Sequence, residues 1–197
     1  MRRLASCILL FALVAGTGCA SPRSNFYTLN SAAKPVTTWA DYSVSVGPVS
    51  VPAAVDRPQI VVRLAPNQVA IDEFNRWASP LPDAIARVVA ENLAAMLGTP
   101  HVSVFSRPTA AGARYRALVD VLRFESAPGE AATLDAVWTV RRTKDGTTRS
   151  GRTTVSEPVP DREYATLAAA HSRALGRLSA DLAGAIRGLA PAAAGRP

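Results

Sequence analysis

The side chains that could carry out covalent or metal chemistry are few in this sequence. Among 197 residues there are two cysteines, Cys7 and Cys19, and two histidines, His101 and His171. Zinc sites need three or four Cys, His or carboxylate ligands at recurrent spacings, and no HExxH-type pattern is present. The G-x-S-x-G turn of serine hydrolases and the lysine-containing phosphate loop of nucleotide hydrolases are also missing. The sequence therefore predicts no metal, no cofactor and no catalytic residue.

The acidic residues are scattered along the chain, among them Asp56, Asp72, Glu73, Asp120 and Asp135. Such scattered carboxylates give no local pair for general acid–base catalysis. A fold could still bring distant groups together, so an enzyme remains an alternative that would require His101, Asp120 and Glu125 to converge in a cleft. His171 falls on the apolar stripe of the last predicted helix, which favours a packed structural role.

Cys19 is the candidate for covalent modification. Residues 1–18 combine Arg2 and Arg3, an apolar run and small residues directly before Cys19, which is the layout of a secretory signal peptide. Cys7 would leave with that peptide, so the mature chain could form no internal disulfide. The segment GTGC resembles the lipobox at which bacterial lipoproteins are cleaved and acylated on the cysteine. The alternative is an ordinary signal peptide cleaved elsewhere, which would leave a free thiol.

The residues around Cys19 also bear on the destination of a lipoprotein. In Gram-negative lipoproteins, aspartate directly after the cysteine usually retains the protein in the inner membrane, whereas this sequence has Ala20. We therefore expect an outer-membrane anchor on the periplasmic face, with 19–25 as a short lipidated tether. Gly16 departs from the lipobox pattern, which has a large aliphatic residue three positions before the cysteine. No later stretch approaches the roughly 20 apolar residues of a spanning helix.

Composition and charge are those of one ordinary domain. The net charge is +7, and the densest basic stretch, VRRTKDGTTRSGR, has no interleaved aromatic residues on which bases could stack. We therefore expect no nucleic acid as a partner. The length fits a single domain over 26–190, and the segment 191–197, PAAAGRP, is predicted to be a disordered tail.

Two helices and several strands can be predicted from hydrophobic periodicity. Apolar residues at helical spacing predict a first helix from Leu81 to Gly98, capped by Ser79, and a long amphipathic helix from about Arg162 to Leu189. The strands are predicted within FYTLN, YSVSVGPVSVP, QIVVRL, NQVAID, HVSVF, YRALVDVLRFE, TLDAVWTVRRT and TTRSGRTTVSE. Asp145-Gly146 predicts a tight turn between the last two strands. Because several strands are apolar on both sides, we expect a three-layer α/β/α sandwich around a mixed sheet.

One stretch of the chain resembles a known family. The resemblance lies in five segments in matching order, Val51-Pro52, Asp56-Arg57-Pro58-Gln59-Ile60-Val61, Arg76-Trp77-Ala78, Pro80-Leu81 and Asn92-Leu93. With the early FYTL and the lipoprotein-like start, these segments make the chain similar to the PqiC/YmbA family. Members of that family are ABC-type transport auxiliary lipoproteins, also called membrane integrity-associated transporter subunits.

The resemblance implies both a fold and a role. The implied fold is that of the N-terminal domain of TolB, and the implied role is non-catalytic, in lipid trafficking or membrane integrity. Implied partners are a periplasm-spanning MCE-domain protein and inner-membrane transporter components, with a homo-oligomer as one arrangement. A lipid-binding or assembly-factor lipoprotein unrelated to MCE transport is the alternative, and it requires an enclosed apolar pocket.

Candidate contacts to a partner or to another protomer are Asp56, Arg57, Pro58, Gln59 and Trp77. Arg57 could form bidentate hydrogen bonds to a carboxylate, and Trp77 could be a rigid apolar anchor. The competing interpretation is structural. Pro58 and Trp77 would then fix neighbouring loops onto the sheet, and Asp56 would hold Arg57 internally.

Overall fold

The computed structural model describes residues 22–37, 40–105, 108–110 and 112–190. The strands there are β1 (Asn25–Tyr27), β2 (Val44–Ser50), β3 (Gln59–Ala65), β4 (Gln68–Trp77), β5 (Val102–Val104), β6 (Tyr115–Ala127), β7 (Ala131–Arg142) and β8 (Thr148–Pro158). The helices are α1 (Leu81–Leu97), α2 (Tyr164–Leu189) and a short 3₁₀ helix (Pro108–Ala110). The predicted signal peptide, Cys19 and the predicted tail 191–197 lie outside the described residues.

The mixed sheet is forked at β6. One edge of β6 pairs antiparallel with β7, which pairs with β8. The other edge pairs parallel with β2 as far as Ser50 and Asp120, and β2 continues to β5. Beyond that point the same edge of β6 meets β3 at the single register pair Val62 and Ser126, and β3 continues to β4 and β1. β6, which corresponds to the predicted strand YRALVDVLRFE, is therefore the central strand of the sheet.

A β-bulge in β6 changes which of its side chains face the core. Before the bulge the odd-numbered residues Tyr115 to Val121 are buried, and after it Phe124 is buried. The register to β7 shifts between Val121 and Arg123, which leaves Leu122 without a cross-strand partner. Arg123 therefore lies on the same outward face as Leu122, which is 46 % exposed, and Phe124 faces the core. An inserted residue of this kind reverses which of the following side chains face the core, and it has no partner on the neighbouring strand.

The helices largely follow the sequence prediction. At the end of α1, Gly98 takes a left-handed conformation (φ 62°) and its N–H bonds to the carbonyl of Ala94. The predicted cap Ser79 is wrong, because Pro80 precedes the helix and no side chain caps it. The long helix starts at Tyr164 and buries its predicted stripe completely at Leu167, Leu175, Leu178, Leu182 and Ile186.

Both helices lie on one face of the sheet. Helix α1 packs on β2 and β5, α2 packs mainly on β7 and β8, and the two helices contact each other. The α/β class, the mixed sheet and the long C-terminal helix are confirmed. The expected third layer is not seen among the described residues. The opposite face carries the half-buried or exposed side chains Asp120, Arg123, Thr139 and Arg141, so it needs no covering helix.

None of the described helices is long and apolar enough to cross a membrane.

Candidate partner-docking site

The two main segments of the family pattern lie side by side. The backbone N–H of Trp77 donates to the carbonyl of Pro58 at 2.7 Å, and Gln59 is in register with Arg76. The Gln59 side chain also donates to Glu73 at 3.1 Å. These contacts tie the loop before β3 to the end of β4, so the loop has a fixed position beside the sheet.

Trp77 belongs to the core. Its ring is 6 % exposed and meets Phe124 and His171 edge-on, at centroid distances of 6.1 and 6.2 Å. Phe124 and His171 are stacked at 3.9 Å with an interplanar angle of 10°. Aromatic packing of this type stabilises beyond the buried area alone. The structural interpretation of Trp77 therefore has direct support, since little of the ring is open to a partner.

His171 is fully buried and neutral. Its Nε2 lies 2.8 Å from the hydroxyl of Ser126, and among the described residues its Nδ1 has no hydrogen-bond partner. Burial lowers the pKa of His171 to about 3. A serine–histidine catalytic site needs a group that orients the second ring nitrogen and a serine that substrate can reach. This pair shows neither feature in the described part of the chain, because Ser126 is only 3 % exposed.

An open groove of about 330 Å³ lies on the helix-free side of the fork, between β3–β4 and β6. Its apolar lining consists of Pro52, Ala54, Val55, Val61, Val69, Ile71, Leu122 and Phe124. Its polar lining consists of Arg57, Arg63, Arg123, Glu125 and Ser126. The loop before β3 forms one wall, which is why the fixed position of that loop matters.

The charges of the groove do not cancel. Arg63 is neutralised, since its Nε lies 3.0 Å from Glu125 and its Nη2 lies 2.5 Å from Glu130. No salt bridge joins Arg57 to a carboxylate among the described residues. Its Nε is buried and has no hydrogen-bond partner there. An unpaired buried guanidinium N–H is costly unless a further group accepts from it, so the groove favours an anionic ligand atom beside Arg57.

The groove also borders a strand edge without a strand neighbour. β2 pairs with β6 as far as Asp120, and β3 pairs with β6 only at Ser126. Over 121–125 the described strands therefore leave this edge of β6 unpaired. Unpaired edge amides and carbonyls can bind an extended segment of another chain.

The predicted site residues fall into two groups. Asp56 and Pro58 are exposed, Arg57 and Gln59 are half-buried, and all four belong to the loop beside the groove or to the start of β3. Trp77 instead supports this loop from the core. The sequence analysis did not identify Leu122 and Arg123 as groove residues, because the bulge that brings Arg123 to the same face as Leu122 leaves no pattern in the apolar run of β6.

The alternative catalytic residues do not form a cluster. Asp120 accepts a hydrogen bond from Ser50 at 2.5 Å, while Glu125 pairs with Arg63. In the described ranges no group of three or more His, Cys, Asp or Glu residues is placed to hold a metal ion.

A protein-family model with the description "ABC-type transport auxiliary lipoprotein component" matches residues 27–183. The chain belongs to this family. The match covers well over half of the sequence and includes the five segments from Val51-Pro52 to Asn92-Leu93 that carried the resemblance. No curated protein matches this auxiliary lipoprotein component significantly.

Solved structures agree with the family. The auxiliary lipoprotein component is similar to a crystal structure of a Xanthomonas campestris protein of family DUF330, with 25 % identity and a TM-score of 0.68. That alignment covers 84 % of this chain and 97 % of the other. A second crystal structure, of an uncharacterized protein, has 20 % identity and a TM-score of 0.68, and covers 84 % and 99 % of the two chains. The similarity to the second structure shows only that the two chains share a fold.

Proposed function

We propose that the protein is a non-catalytic subunit of an envelope transport system, anchored to the periplasmic face of the outer membrane through acylated Cys19. In this role it docks a periplasm-spanning MCE-domain protein that connects to inner-membrane transporter components. Family membership supports the role of an auxiliary transport lipoprotein. The outer-membrane location rests on Ala20 after the acylated residue.

The observation that carries the docking role is the groove beside Arg57. It combines apolar side chains, an unpaired guanidinium and an unpaired strand edge on a face that the helices leave open. This chemistry fits an extended partner segment with apolar side chains and one carboxylate. A catalytic cleft would instead need converging titratable groups.

The anchor fits a docking subunit because such a subunit has to stay at its membrane. A single acyl chain binds a bilayer only marginally, whereas two or more make attachment effectively permanent. Assembly of several copies around one partner would add avidity without new contacts.

Co-purification from cell envelopes tests this function. Tagged lipoprotein is compared with Arg57→Glu and with the matched control Arg177→Glu, a charge reversal on the exposed side of α2. We expect wild type and the control to recover an MCE-type protein and ABC-transporter components, and Arg57→Glu to lose them. Thermal unfolding checks that the three proteins are equally folded.

Two results would contradict the proposal. If wild type recovers no such component while other envelope complexes survive the extraction, the transport role is wrong. If Arg57→Glu recovers the partner as well as the control does, docking does not use the groove. A lipid bound stoichiometrically to the purified protein would support the alternative of a lipid-binding lipoprotein.

A further inference from the structure

The most exposed large apolar side chains of the described residues are Phe26, Val69 and Leu64, at 63, 60 and 53 % exposure. Phe26 lies on the edge strand β1. Leu64 and Val69 flank the turn between β3 and β4. Phe26, in register with Arg76, lies at the far end of β4, whereas Leu64 and Val69 lie close together at the hairpin tip. Two solvated apolar side chains at one tip require an explanation other than core packing.

Strand directions place the turn of the β3–β4 hairpin at the end of the sheet where the N-terminal segment arrives. β1 runs parallel to β4, with Asn25 in register with Asn75. The chain that precedes Asn25 therefore enters from the side on which β4 begins. β4 begins at the hairpin turn, where Ala65 is paired with Gln68.

The β3–β4 hairpin extends beyond the level of Asn25 by about the length that the tether between Cys19 and Asn25 can span. Six residues separate Cys19 from Asn25, and a fully extended chain of that length spans at most about 22 Å. Seven residues separate Asn75 from Gln68 along β4, which corresponds to at most about 23 Å in a strand. The register shift between Gln59 and Ile60 shortens this distance, because extra β4 residues bulge out there. With a Cys19 lipid at the bilayer surface, these lengths allow the turn to reach that surface.

The composition of the turn suits a membrane interface. The segment 64–69, LAPNQV, contains no charged residue, although the protein as a whole has 19 % charged residues. The charge next to this segment in the chain, Arg63, forms salt bridges with Glu125 and Glu130. Apolar side chains gain free energy at the boundary between headgroups and acyl chains, and charged side chains would lose it there.

We propose that the tip of the β3–β4 hairpin, residues 64–69, lies in the membrane interface and is a second point of membrane contact beside the lipid. The occupant of this tip is the lipid bilayer, and the partner segment of the proposed function lies on the groove residues beyond Val69. The proposal rests on the acylated Cys19 of the proposed function. This second contact fixes the orientation of the domain relative to the membrane. The opposite end of the sheet, where β6 starts, then faces away from the membrane.

Single-cysteine labelling tests the contact. Leu64→Cys and Val69→Cys are compared with the control Val36→Cys. Val36 is 45 % exposed, and its backbone N–H donates to the carbonyl of Ala95 near the end of α1. This position lies at the opposite end of the sheet from the hairpin tip. The full-length, acylated proteins are labelled with an environment-sensitive fluorophore and reconstituted into phosphatidylethanolamine/phosphatidylglycerol liposomes. Acylation of Cys19 and removal of Cys7 leave the introduced thiol as the labelling site.

We expect the labels at 64 and 69 to shift to the blue, and nitroxide lipids to quench them roughly twofold or more beyond the label at 36. If the protein floats with the liposomes but all three labels respond alike, the hairpin contact is wrong and the anchor stands. A blue shift without quenching would show that protein covers the tip, and would also overturn the proposal. If the acylated protein does not float, the anchor itself is wrong, and the hairpin contact with it.

Discussion

Trp77 and Pro58 are joined by a backbone hydrogen bond of 2.7 Å between the Trp77 amide and the Pro58 carbonyl. Through this bond the buried tryptophan holds the loop that carries Arg57. Two parts of the family pattern therefore have different physical tasks. Trp77 fills the core behind the loop, while Arg57 faces the groove in front of it.

Trp77→Ala should lower the free energy of unfolding by about 3–5 kcal/mol, because it removes a ring packed on Phe124 and His171 and leaves a cavity. Urea unfolding followed by circular dichroism measures this loss. Arg57→Ala is the control, and its stability should stay within about 0.5 kcal/mol of wild type, since Arg57 forms no salt bridge within the described part of the chain. Equal effects of the two substitutions would contradict the division of tasks.

His171 should make the fold sensitive to mild acid. Burial holds its folded-state pKa at about 3, whereas an unfolded histidine has a pKa of about 6.5. Below pH 6.5 the unfolded chain binds a proton that the folded chain does not. Stability therefore falls by about 1.4 kcal/mol per pH unit on acidification, until the pH reaches the folded-state value.

His171→Gln tests this pH dependence. Glutamine can still bond to Ser126 but does not titrate, so the loss of stability between about pH 7.5 and pH 5 should shrink by about 2 kcal/mol. Urea unfolding at both pH values gives the difference. An unchanged pH dependence in the variant would show that another group causes the acid sensitivity.

Gly151→Ala should destabilise the β7–β8 hairpin. A Cβ at Gly151 would lie 2.4 Å from Cζ2 of Trp138, which packs across the glycine and donates from Nε1 to Thr153. Displacing that ring should cost about 1–3 kcal/mol in thermal or urea unfolding. Gly184→Ala is the matched control: its Cβ meets no atom within 4 Å, and on a helix it should stabilise by about 0.5–1 kcal/mol.

Tyr164→Phe should weaken the junction between α2 and β4. The Tyr164 hydroxyl donates to Asp72 at 2.7 Å. Burial opposes ionisation of Asp72, but hydrogen bonds from Tyr164, from Asn75 and from backbone amides outweigh it and hold its pKa at about 2. Losing a hydrogen bond to a charged group should cost about 1–2 kcal/mol near neutral pH.

The same variant should raise the pKa of Asp72, which NMR titration of its carboxyl carbon measures. A lowered carboxyl pKa contributes stability above about pH 4, and this contribution is lost as the pH falls towards 2. The acid-dependent part of the stability should therefore be smaller in Tyr164→Phe than in wild type. A pKa that stays at about 2 in the variant would assign the effect to Asn75 and the backbone amides.

Cys19→Ser should release the protein from membranes, because serine lacks the sulfur to which the proposed function attaches the acyl chains. Fractionation and flotation of cell envelopes measure the distribution. If the variant stays bound to membranes, acylation of Cys19 is not the anchor.

Much of the fold was predictable because its signals are local. The alternation in TLDAVWTVRRT gave the buried face of β7, and Leu134, Ala136 and Val140 are indeed fully buried. Gly98 marked the end of α1, and the apolar stripe located α2 to within two residues. These patterns depend on periodicity within one element.

The parts that were missed depend on how elements meet. Apolar residues on both sides of β6 predicted helices on both faces. The structure instead uses a bulge at Leu122 and a fork of the sheet, so the second set of apolar residues lines an open groove. Hydrophobic periodicity within a single strand or helix does not predict where a bulge occurs or how the strands pair.

The fork divides the sheet into two parts that can unfold locally at different rates. The branch of β1, β4 and β3 joins the rest of the sheet through the single pair Val62 and Ser126, whereas β6 pairs with β7 along most of its length. Amide protons of β3 and β4 should therefore exchange with solvent through a local opening that leaves β6, β7 and α2 protected. The groove would change shape in that opening, so a bound segment should slow exchange in this branch first.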